Sequence, residues 1–499
     1  MNGALVLCEG KIRDIVKIQD FKFELYQDWD VQDLSGMVIM PGLVDLNVGL
    51  SEGASTVTKQ ALSGGVTTLA TSDAVTGELY TNIAPLTLNS NPTPGSFGTK
   101  LSLNPEPNDL TSLLHSKRPV FINPEVKILS SIPLGVINED INVVPNESRI
   151  ELNNLSMKAS KFTLESEGES PLLDENETFH SESDSESEPE IIISDCPDSI
   201  IKKRVSLPII NTNEVQQMKF INSPRHFSIQ INTHKRIPLQ DLPFIAKGVQ
   251  VQHAYAQHVR NCPVESELEG IKQVFKHNPT SPLHFSNVSS AEALKLIQHY
   301  KHTSNIQVTC ETSTPYLYFS QNDIKPGDTR YKLSPPIRDY SNYKQLWQLL
   351  KSEEVDCVSS FHQPVPPPQK FIGDFFKAKN GVLSVGFTLQ ALWTRLHSQV
   401  PRGEEFYYIS LLSSVLAETP ARVLRLDNKG SIQVGKDADL VVWDPFCKAR
   451  VSKTFDRFGE MNPLVGEELY GAVFRVYLNG EVVYGSGGVV PAGKILVAN

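Results

Sequence analysis

Two hydrophobic patterns recur along the chain, and together they predict an α/β protein. Residues 36–46 are almost entirely apolar, as in a buried strand, and 61–69 ends a helix at glycine before a second such strand begins. After residue 255, segments with apolar residues at helical spacing are each followed by a short apolar strand: helix 265–277 and strand 283–288, helix 289–297 and strand 306–310, helix 343–350 and strand 355–359. This alternation predicts a parallel sheet covered by helices.

The C-terminal part of the chain has a different pattern, dominated by short strands. Short strand-like runs occur within 430–443 and at 473–478, and Asn479-Gly480 separates the latter from 481–484. Asn-Gly between alternating strands is a strong signal for a tight hairpin. Because the N-terminal residues also form short strand-like runs, we predict one small β domain built from both ends of the chain.

The composition is that of an ordinary folded protein. The chain has 499 residues, of which 40% are hydrophobic and 21% charged. No apolar run reaches the roughly 18 residues of a membrane helix, and the N-terminus lacks the basic start and apolar stretch of a signal peptide. The six cysteines form no CxxC pair, so neither a zinc knuckle nor a disulfide framework is indicated. We therefore expect a cytoplasmic protein with no membrane partner.

The negative charge is concentrated in one segment. The formal net charge is −11, and residues 165–190 contain 11 acidic residues and no lysine or arginine. The rest of the chain is therefore close to neutral, which argues against nucleic acid as a partner. A segment so acidic and so poor in aromatic residues cannot bury enough apolar surface to fold, so we predict that it is disordered. The surrounding residues, 127–245, are predicted to be a large insertion.

Six motifs resemble the cyclic amidohydrolases, the group that includes allantoinases, dihydroorotases and dihydropyrimidinases. They occur in the order of that family: PGLVDLNVGL (41–50), SGGVTT (63–68), NVSSAEAL (287–294), LSPPIRD (333–339), ETPARVL (418–424) and GSIQVGKDADLVVWDP (430–445). The ending at 462–484 is most similar to the allantoinase branch. The resemblance covers roughly 10–125 and 255–499.

The resemblance implies a fold and its domain boundaries. The fold class is a (β/α)8 TIM-like barrel of the metal-dependent amidohydrolase type with a small composite β-sandwich. We expect the sandwich at 1–40 and 425–499, the barrel at 41–126 and 246–424, and the partly disordered insertion at 127–245. The chain begins about one strand late for the family, and the region 64–100 is short. We therefore expect the sandwich and the second barrel unit to be trimmed.

The metal site that the resemblance implies is degraded. Active members bind two divalent metals, usually zinc, which activate the water that attacks the ring amide. Five of six ligand positions have residues that ligate such metals poorly or not at all: Asn47 and Gly49 at the histidines of the first strand, Asn123 and Asn287 at two later histidines, and Phe361 at the aspartate that also transfers the proton. Only Lys100, at the bridging lysine, is kept. We expect no metal cofactor and no catalytic residue.

A remnant of the substrate pocket is predicted from the same comparison. Its members are Lys100, Glu125, Ser334, Arg338 and His362. The resemblance places a substrate-facing asparagine at position 334, where this chain has serine. Arg338 has two open interpretations, a contact with a ligand or a salt bridge at the barrel rim.

Three functional hypotheses follow. The first is an inactive family member that serves as a binding and assembly scaffold, a route that the related collapsin-response mediators have taken. The second is an active cyclic amidohydrolase with atypical ligands, and the third is a small-molecule sensor that uses the empty pocket. The resemblance also implies a homo-oligomer, either a dimer or a tetramer.

The acidic segment carries candidate phosphorylation sites. Each of five serines has an acidic residue three positions later, the pattern that kinases of the casein kinase type prefer: Ser166, Ser181, Ser183, Ser185 and Ser187. Each phosphate would add about −1.5 to −2 charges. We predict that 165–190 docks onto a basic protein partner, with a passive solubilising linker as the alternative.

Overall fold

The computed structural model describes residues 3–26, 28–90, 92–103, 110–126, 228–229, 255–370, 373–401, 403–451 and 459–498. All of them belong to one compact unit. The predicted insertion, apart from residues 228–229, lies outside the described residues, and so do the acidic segment 165–190 and its five candidate phosphorylation sites.

The described strands fall into two sandwich sheets and a barrel wall. Those outside the barrel are β1 (Gly3–Cys8), β2 (Lys11–Lys17), β3 (Val38–Pro41), β10 (Ser228–Ile229), β14 (Leu440–Arg450), β15 (Glu468–Leu478), β16 (Glu481–Gly485) and β17 (Gly488–Val489). Those of the barrel are β4 (Leu43–Asp45), β5 (Val66–Thr71), β6 (Asn82–Pro85), β7 (Thr87–Leu88), β8 (Thr99–Ser102), β9 (Val120–Asn123), β11 (Leu283–Phe285), β12 (Val308–Ser313) and β13 (Cys357–Ser359).

The barrel wall is parallel throughout. One sheet runs β4-β5-β6 and another β7-β8-β9-β11-β12-β13. β7 continues β6 after a single residue, so the two sheets together provide eight wall positions. A parallel bridge between Val48 and His362 brings the end of β4 beside the end of β13 and closes the wall. The alternation of helices and strands predicted the parallel sheet, and the TIM-barrel architecture is the one that the family resemblance implied.

The helices of the described chain lie mainly in the second half of the barrel. They are α1 (Ala54–Ser63), α2 (Leu110–Leu113), α3 (Tyr255–Asn261), α4 (Val264–Lys276), α5 (Ala291–Thr303), α6 (Thr314–Tyr318), α7 (Tyr340–Lys351), α8 (Pro367–Lys370), α9 (Thr388–His397), α10 (Glu405–Ser413) and α11 (Thr419–Val423). A π-helical turn, Ser414–Glu418, joins the last two. Short 3-10 turns cover Ile18–Asp20, Phe23–Tyr26, Gln321–Asp323, Thr329–Tyr331 and Gly459–Met461.

Local capping explains why two central helices begin where they do. The Ser290 side chain accepts a hydrogen bond from the backbone N–H of Ala293 at the start of α5. Asp339 does the same for Asn342 at the start of α7. Both side chains satisfy a backbone donor that the first helical turn leaves without a partner.

Among the described residues, the connections that follow β5 and β7 contribute no helix to cover the barrel. The C-terminal segment 491–498 covers β6 instead: Ile83 donates its N–H to Lys494 O, and Leu496 donates to Ile83 O, at 2.9 and 2.8 Å. Leu496 and Ala498 pack against the barrel core there. The short region 64–100 is therefore completed by an extended tail.

Both ends of the chain contribute to the β-sandwich. β3 pairs antiparallel with the first half of β14, and β15 pairs with β14 on the other side. The hairpin β1-β2 packs over this sheet through Ile12, which contacts a cluster with Leu440 and Tyr477. β15 and β16 meet at Asn479-Gly480, where both residues have positive φ. This is the tight turn that the Asn-Gly pair predicts.

Candidate functional site

The barrel brings the predicted site residues to one end of the wall. Asn47 follows β4, Asn123 ends β9, Asn287 follows β11 and Phe361 follows β13, while Lys100 lies within β8. The carboxyl ends of all parallel strands meet at the same face of such a barrel, which is where its enzymes have their active sites. The residues compared with metal ligands are therefore gathered at the expected place.

Three of these side chains form one hydrogen-bonded chain. The Lys100 ammonium donates to Asn47 Oδ1 at 2.7 Å, and Asn47 Nδ2 donates to Asn287 Oδ1 at 2.5 Å. Ser313 Oγ also donates to Asn287 Oδ1, at 3.1 Å. The amide oxygens of Asn47 and Asn287 therefore already accept hydrogen bonds from protein side chains.

The floor of the site is closed to solvent. Asn47, Asn287 and Phe361 are 1%, 2% and 1% exposed. Ser313 and Ser359, whose hydroxyl groups are 3.2 Å apart, are buried beside them. Lys100 and Asn123, at the ends of β8 and β9, keep partial exposure.

Two of the ligand positions have left-handed backbone. The φ angle is 58° at Asn287 and 57° at Phe361. Asparagine adopts this conformation readily, whereas a bulky aromatic residue does so rarely. Phe361 is held there by packing, since its ring is buried and lies 6.2 Å from the ring of Tyr316. An apolar ring thus fills the place that the comparison gives to the proton-transferring aspartate.

Gly49 is confined by the neighbouring strand. Its N–H donates to His362 O at 2.7 Å. A Cβ atom at position 49 would lie 3.2 Å from the same oxygen and 3.7 Å from Asp73 Oδ2. A side chain at this position therefore requires a small displacement of the strand end at His362.

Glu125 belongs to a separate cluster on the rim. Its carboxylate accepts hydrogen bonds from the hydroxyl of Ser334 and the thiol of Cys262. Burial raises the pKa of Glu125, and the negative charge of Glu267 raises it further. Burial also raises the pKa of the Cys262 thiol, to about 12. The thiol therefore acts here as a hydrogen-bond donor rather than as a nucleophile.

Arg338 is used inside the protein. Its guanidinium donates to Glu267 Oε2 at 2.7 Å, to Ser289 Oγ at 2.8 Å and to Cys262 O at 3.2 Å. Both Arg338 and Glu267 are buried. This geometry matches the salt-bridge interpretation of Arg338.

His362 faces the protein backbone. Its Nδ1 accepts hydrogen bonds from the N–H groups of Ser384 and Val385, at 3.2 and 3.3 Å. Burial lowers the pKa of His362 to about 3, so the imidazole is neutral at physiological pH. Within the described chain, no hydrogen bond or ion pair joins His362, Lys100 and Glu125 to one another. The predicted pocket residues therefore belong to three separate clusters.

The structure adds acidic residues that the motif comparison missed. Asp45 accepts hydrogen bonds from the backbone N–H groups of Asn47 and Ser360, and burial raises its pKa to about 6. Glu311 is fully buried in β12, and its Oε2 lies 3.4 Å from His284 Nε2. For Asp45, an acidic residue at the end of the otherwise apolar strand LVD is a sequence signal that could have revealed it, whereas Glu311 lies in the mixed strand VTCETS, which gives no such signal.

The donor set does not fit the metal pair that the resemblance implies. Among the residues that the structure describes, no group of three or more His, Cys, Asp or Glu side chains could hold a metal ion. Neutral amides are poor ligands for hydrolytic transition metals, and the amides of Asn47 and Asn287 are bonded to each other. The positively charged Lys100 ammonium also donates a hydrogen bond to the Asn47 amide oxygen, where a metal ion would have to bind.

Sequence comparison shows similarity to allantoinases. A family model described as "Amidohydrolase family" matches residues 389–483. The chain is 35% identical over 211 residues to the allantoinase of Arabidopsis thaliana, an alignment that covers 41% of this chain and 40% of that protein. It is 32% identical over 243 residues to the allantoinase of Deinococcus radiodurans, covering 48% of this chain and 53% of the relative. The matched regions thus span about half the length of these two proteins.

A longer alignment and two solved structures extend the comparison. The chain is 25% identical over 507 residues to a probable allantoinase of Oryza sativa subsp. japonica, which covers 96% of this chain and 84% of the relative. The fold is similar to that of the L-hydantoinase of Arthrobacter aurescens, with a TM-score of 0.64 at 17% identity, covering 99% and 96% of the two chains. A D-hydantoinase from Thermus sp. gives 0.63 at 17% identity, covering 99% and 95%.

No helix in the described parts of the chain is long and apolar enough to span a membrane.

Proposed function

We propose that this chain, which is similar to allantoinases, is a member of the cyclic amidohydrolases that keeps their barrel as a binding scaffold and no longer hydrolyses cyclic amides. The hydrogen-bonded chain from Lys100 through Asn47 to Asn287 supports this proposal most directly. Hydrolysis of a ring amide in this family needs an activated water and a group that transfers its proton. The residues that would hold and activate the water are here bonded to one another.

The remaining titratable groups do not supply a substitute. Phe361 has no proton to exchange, and the imidazole of His362 is buried and neutral with its Nδ1 bonded to backbone. The Glu125 carboxylate accepts hydrogen bonds from Ser334 and Cys262 on the rim. A general base must lie within hydrogen-bond reach of the proton that it removes. The hydrogen bonds of Glu125 and His362 instead go to Ser334, Cys262 and the backbone of Ser384 and Val385.

Burial favours a scaffold over a small-molecule sensor. The side chains of Asn47, Asn287 and Phe361 are at most 2% exposed. A ligand that replaced the family substrate would have to displace Phe361 or break the asparagine pair to reach this floor. A scaffold needs neither, because it uses the outer surface of the barrel and its attached segments.

The alternative is an active allantoinase-like enzyme with atypical ligands, and the 35% identity to the Arabidopsis allantoinase favours it. The scaffold and the active enzyme differ in whether the protein hydrolyses cyclic amides. Purified full-length protein, tested before and after incubation with Zn²⁺ or Mn²⁺, is expected to leave allantoin, dihydroorotate and hydantoin intact. An authentic allantoinase assayed in parallel is the positive control. Ring opening above the uncatalysed rate would overturn the scaffold proposal.

The acidic segment is the proposed attachment point for a partner. Residues 165–190 carry the whole net negative charge of the chain, and phosphorylation of Ser166, Ser181, Ser183, Ser185 and Ser187 would increase it. A basic protein surface matches such a segment by charge. We further infer a homo-oligomer by family resemblance. We also infer a reducing, cytoplasmic setting, since the five described cysteines are all free thiols.

A further inference from the structure

The C-terminal segment 491–498 contacts the barrel in the way that an extended peptide binds to the edge of a sheet. β6 pairs with β5 through one edge. Through the other, Ile83 donates its N–H to Lys494 O at 2.9 Å and accepts a hydrogen bond from the N–H of Leu496 at 2.8 Å. A parallel bridge joins Ile83 to Ile495. Addition of a strand to a free sheet edge is a recurring mode of peptide recognition.

The side chains of this segment alternate between the barrel and solvent. Leu496 and Ala498 pack against the hydrophobic cluster that contains Phe97. Ile495 and Val497, which alternate with them, are 49% and 73% exposed. Because successive side chains of an extended chain point to opposite sides, the barrel contacts one set and leaves the other free. Positions 496 and 498 therefore determine the fit, and positions 495 and 497 do not.

A glycine and two further backbone contacts fix the register of the segment. The N–H of Gly493 donates to Leu79 O at 2.8 Å, and a Cβ atom at position 493 would lie 2.1 Å from Thr81 O. At the other end, the N–H of Ala498 donates to Gly95 O at 3.1 Å. The edge of β6 thus selects the pattern Gly-x-x-Leu-x-Ala over six residues in extended conformation.

The contacts with the barrel hold the segment, whereas its connection to the sandwich is open. Residues 490–492, which join the segment to β17, are all exposed. Ile83 is fully buried, and a buried backbone N–H or C=O without a partner is unfavourable. The edge of β6 therefore needs an occupant, and the contacts that select it lie within residues 493–498.

We propose that the edge of β6 is a peptide-docking site, in which residues 493–498 are the resident ligand and which accepts an extended partner segment of the pattern Gly-x-x-Leu-x-Ala in their place. The resident segment is then an intramolecular competitor, which lowers the apparent affinity for the partner. This inference goes beyond the proposed function and does not depend on it, because none of the positions compared with metal ligands takes part.

The test supplies the segment as a separate peptide. Full-length Leu496→Asp places a carboxylate at the apolar contact, so that its own segment no longer docks. The probe is a fluorescently labelled synthetic peptide of residues 491–499. Fluorescence polarisation should show saturable binding of the peptide to this variant, at least about ten-fold tighter than to the wild-type protein, whose site is occupied. Absence of saturable binding to the folded variant would overturn the proposal.

Two peptides of equal charge provide the matched control. Leu496→Asp in the peptide should weaken binding at least about ten-fold, because the acidic side chain enters the hydrophobic cluster. Val497→Asp should bind like the parent peptide, because position 497 is exposed. Equal affinities of the two substituted peptides would mean that the apolar peptide associates without the register seen in the structure, and would contradict the proposal.

A second form of the protein keeps the test valid if full-length Leu496→Asp does not fold. A protease site inserted between Val490 and Pro491, both exposed, allows the otherwise wild-type protein to be cleaved after folding. The cleaved segment should stay bound during gel filtration and be replaced by excess labelled peptide. Unfolding upon cleavage, or no replacement, would refute the proposal.

Gel filtration with light scattering distinguishes a peptide partner from a second copy of this chain. Wild-type protein and folded Leu496→Asp should have the same mass, since the segment docks within its own chain. If wild type has twice the mass of the variant, the segment is exchanged between two copies, and the proposal of a separate peptide partner is wrong.

Discussion

At the strand ends, single residues explain both what the site has lost and what it retains. Phe361 occupies left-handed backbone with φ of 57°, which costs on the order of 1 kcal/mol or more for a bulky residue. It is tolerated because its ring is buried against Tyr316. The backbone at position 361 therefore has a left-handed conformation that asparagine or aspartate adopts more readily, while the Phe361 ring packs in the hydrophobic core.

The first prediction concerns partial repair of the site. Asn47→His together with Gly49→His should give no allantoin hydrolysis, because Asn123, Asn287 and Phe361 still supply neither ligands nor a proton acceptor. The histidine at position 49 must also displace His362 O, which lies 3.2 Å from its Cβ position. The measurement is allantoin consumption by the purified double variant with added Zn²⁺. Turnover above that of wild type would show that the strand-end assignments are wrong.

The second prediction follows from the buried imidazole of His362. Its folded-state pKa of about 3 is lower than the ordinary 6.5, so between these values the unfolded chain binds more protons than the folded one. This group therefore makes stability decrease as pH falls from 6.5 toward 3, with a slope of about 1.4 kcal/mol per pH unit. His362→Asn retains an acceptor for Ser384 and Val385 and does not titrate.

Urea unfolding of wild type and His362→Asn at several pH values between 4 and 7 measures that contribution. The variant should show a weaker decrease in the free energy of unfolding toward low pH. Identical pH dependence in the two proteins would contradict the assignment of His362 as a neutral buried group.

At the level of elements, the C-terminal segment 491–498 takes the place of barrel helices. It bonds to β6 through Ile83 and packs Leu496 against the core, next to strands whose described connections contain no helix. Gly493 allows the close approach, since a Cβ there would lie 2.1 Å from Thr81 O. The C-terminal segment 491–498 thus extends the barrel wall at β6.

The third prediction tests the tail. Gly493→Val should destabilise the protein by at least about 2 kcal/mol, because its side chain cannot be accommodated against the backbone of Thr81. Gly487→Val is the matched control, as a Cβ at Gly487 meets nothing within 4 Å. Urea unfolding of both variants gives the comparison. Equal stability of the two variants would mean that the tail does not support β6.

The sequence predicted the helices more closely than the strands, because helix bounds depend mainly on the local pattern of residues. Helices 265–277 and 343–350 are close to the observed Val264–Lys276 and Tyr340–Lys351, and the glycine after α1 ends that helix as expected. The strand expected at 306–310 is instead Val308–Ser313, and the one at 283–288 ends at Phe285. Strand bounds depend on pairing with neighbours that are distant in sequence, which a single-strand pattern does not contain.

For the whole molecule, the TIM-like barrel and β-sandwich were predictable from the sequence, whereas the internal contacts of the site were not. The motif comparison identified Asn47, Asn287 and Phe361 as altered positions. It gave no sign that the two asparagines bond to each other and to Lys100, or that Glu311 lies buried in the same barrel. Such contacts join residues up to 240 positions apart and depend on side-chain geometry. The domain boundaries and the insertion at 127–245 stay predictions.

The fourth prediction concerns the acidic segment of the whole chain. Deleting 165–190 should leave Tm almost unchanged, since a segment with 11 acids and few apolar residues adds little to a core. It should weaken binding to a basic partner in a salt-dependent way, because that binding is electrostatic. Differential scanning calorimetry and pull-downs at two salt concentrations measure the two effects. A loss of several degrees in Tm, or unchanged partner recovery, would refute the docking hypothesis.

The metal content of the purified protein tests the central claim most directly. Elemental analysis of full-length protein, purified without chelators and dialysed against metal-free buffer, should find no stoichiometric zinc, manganese or iron. The reason is that Asn47, Asn287 and Phe361 supply no charged or imidazole ligand, and the Lys100 ammonium repels a cation at that position. Two metal ions per chain would contradict the account and favour an active, metal-dependent hydrolase instead.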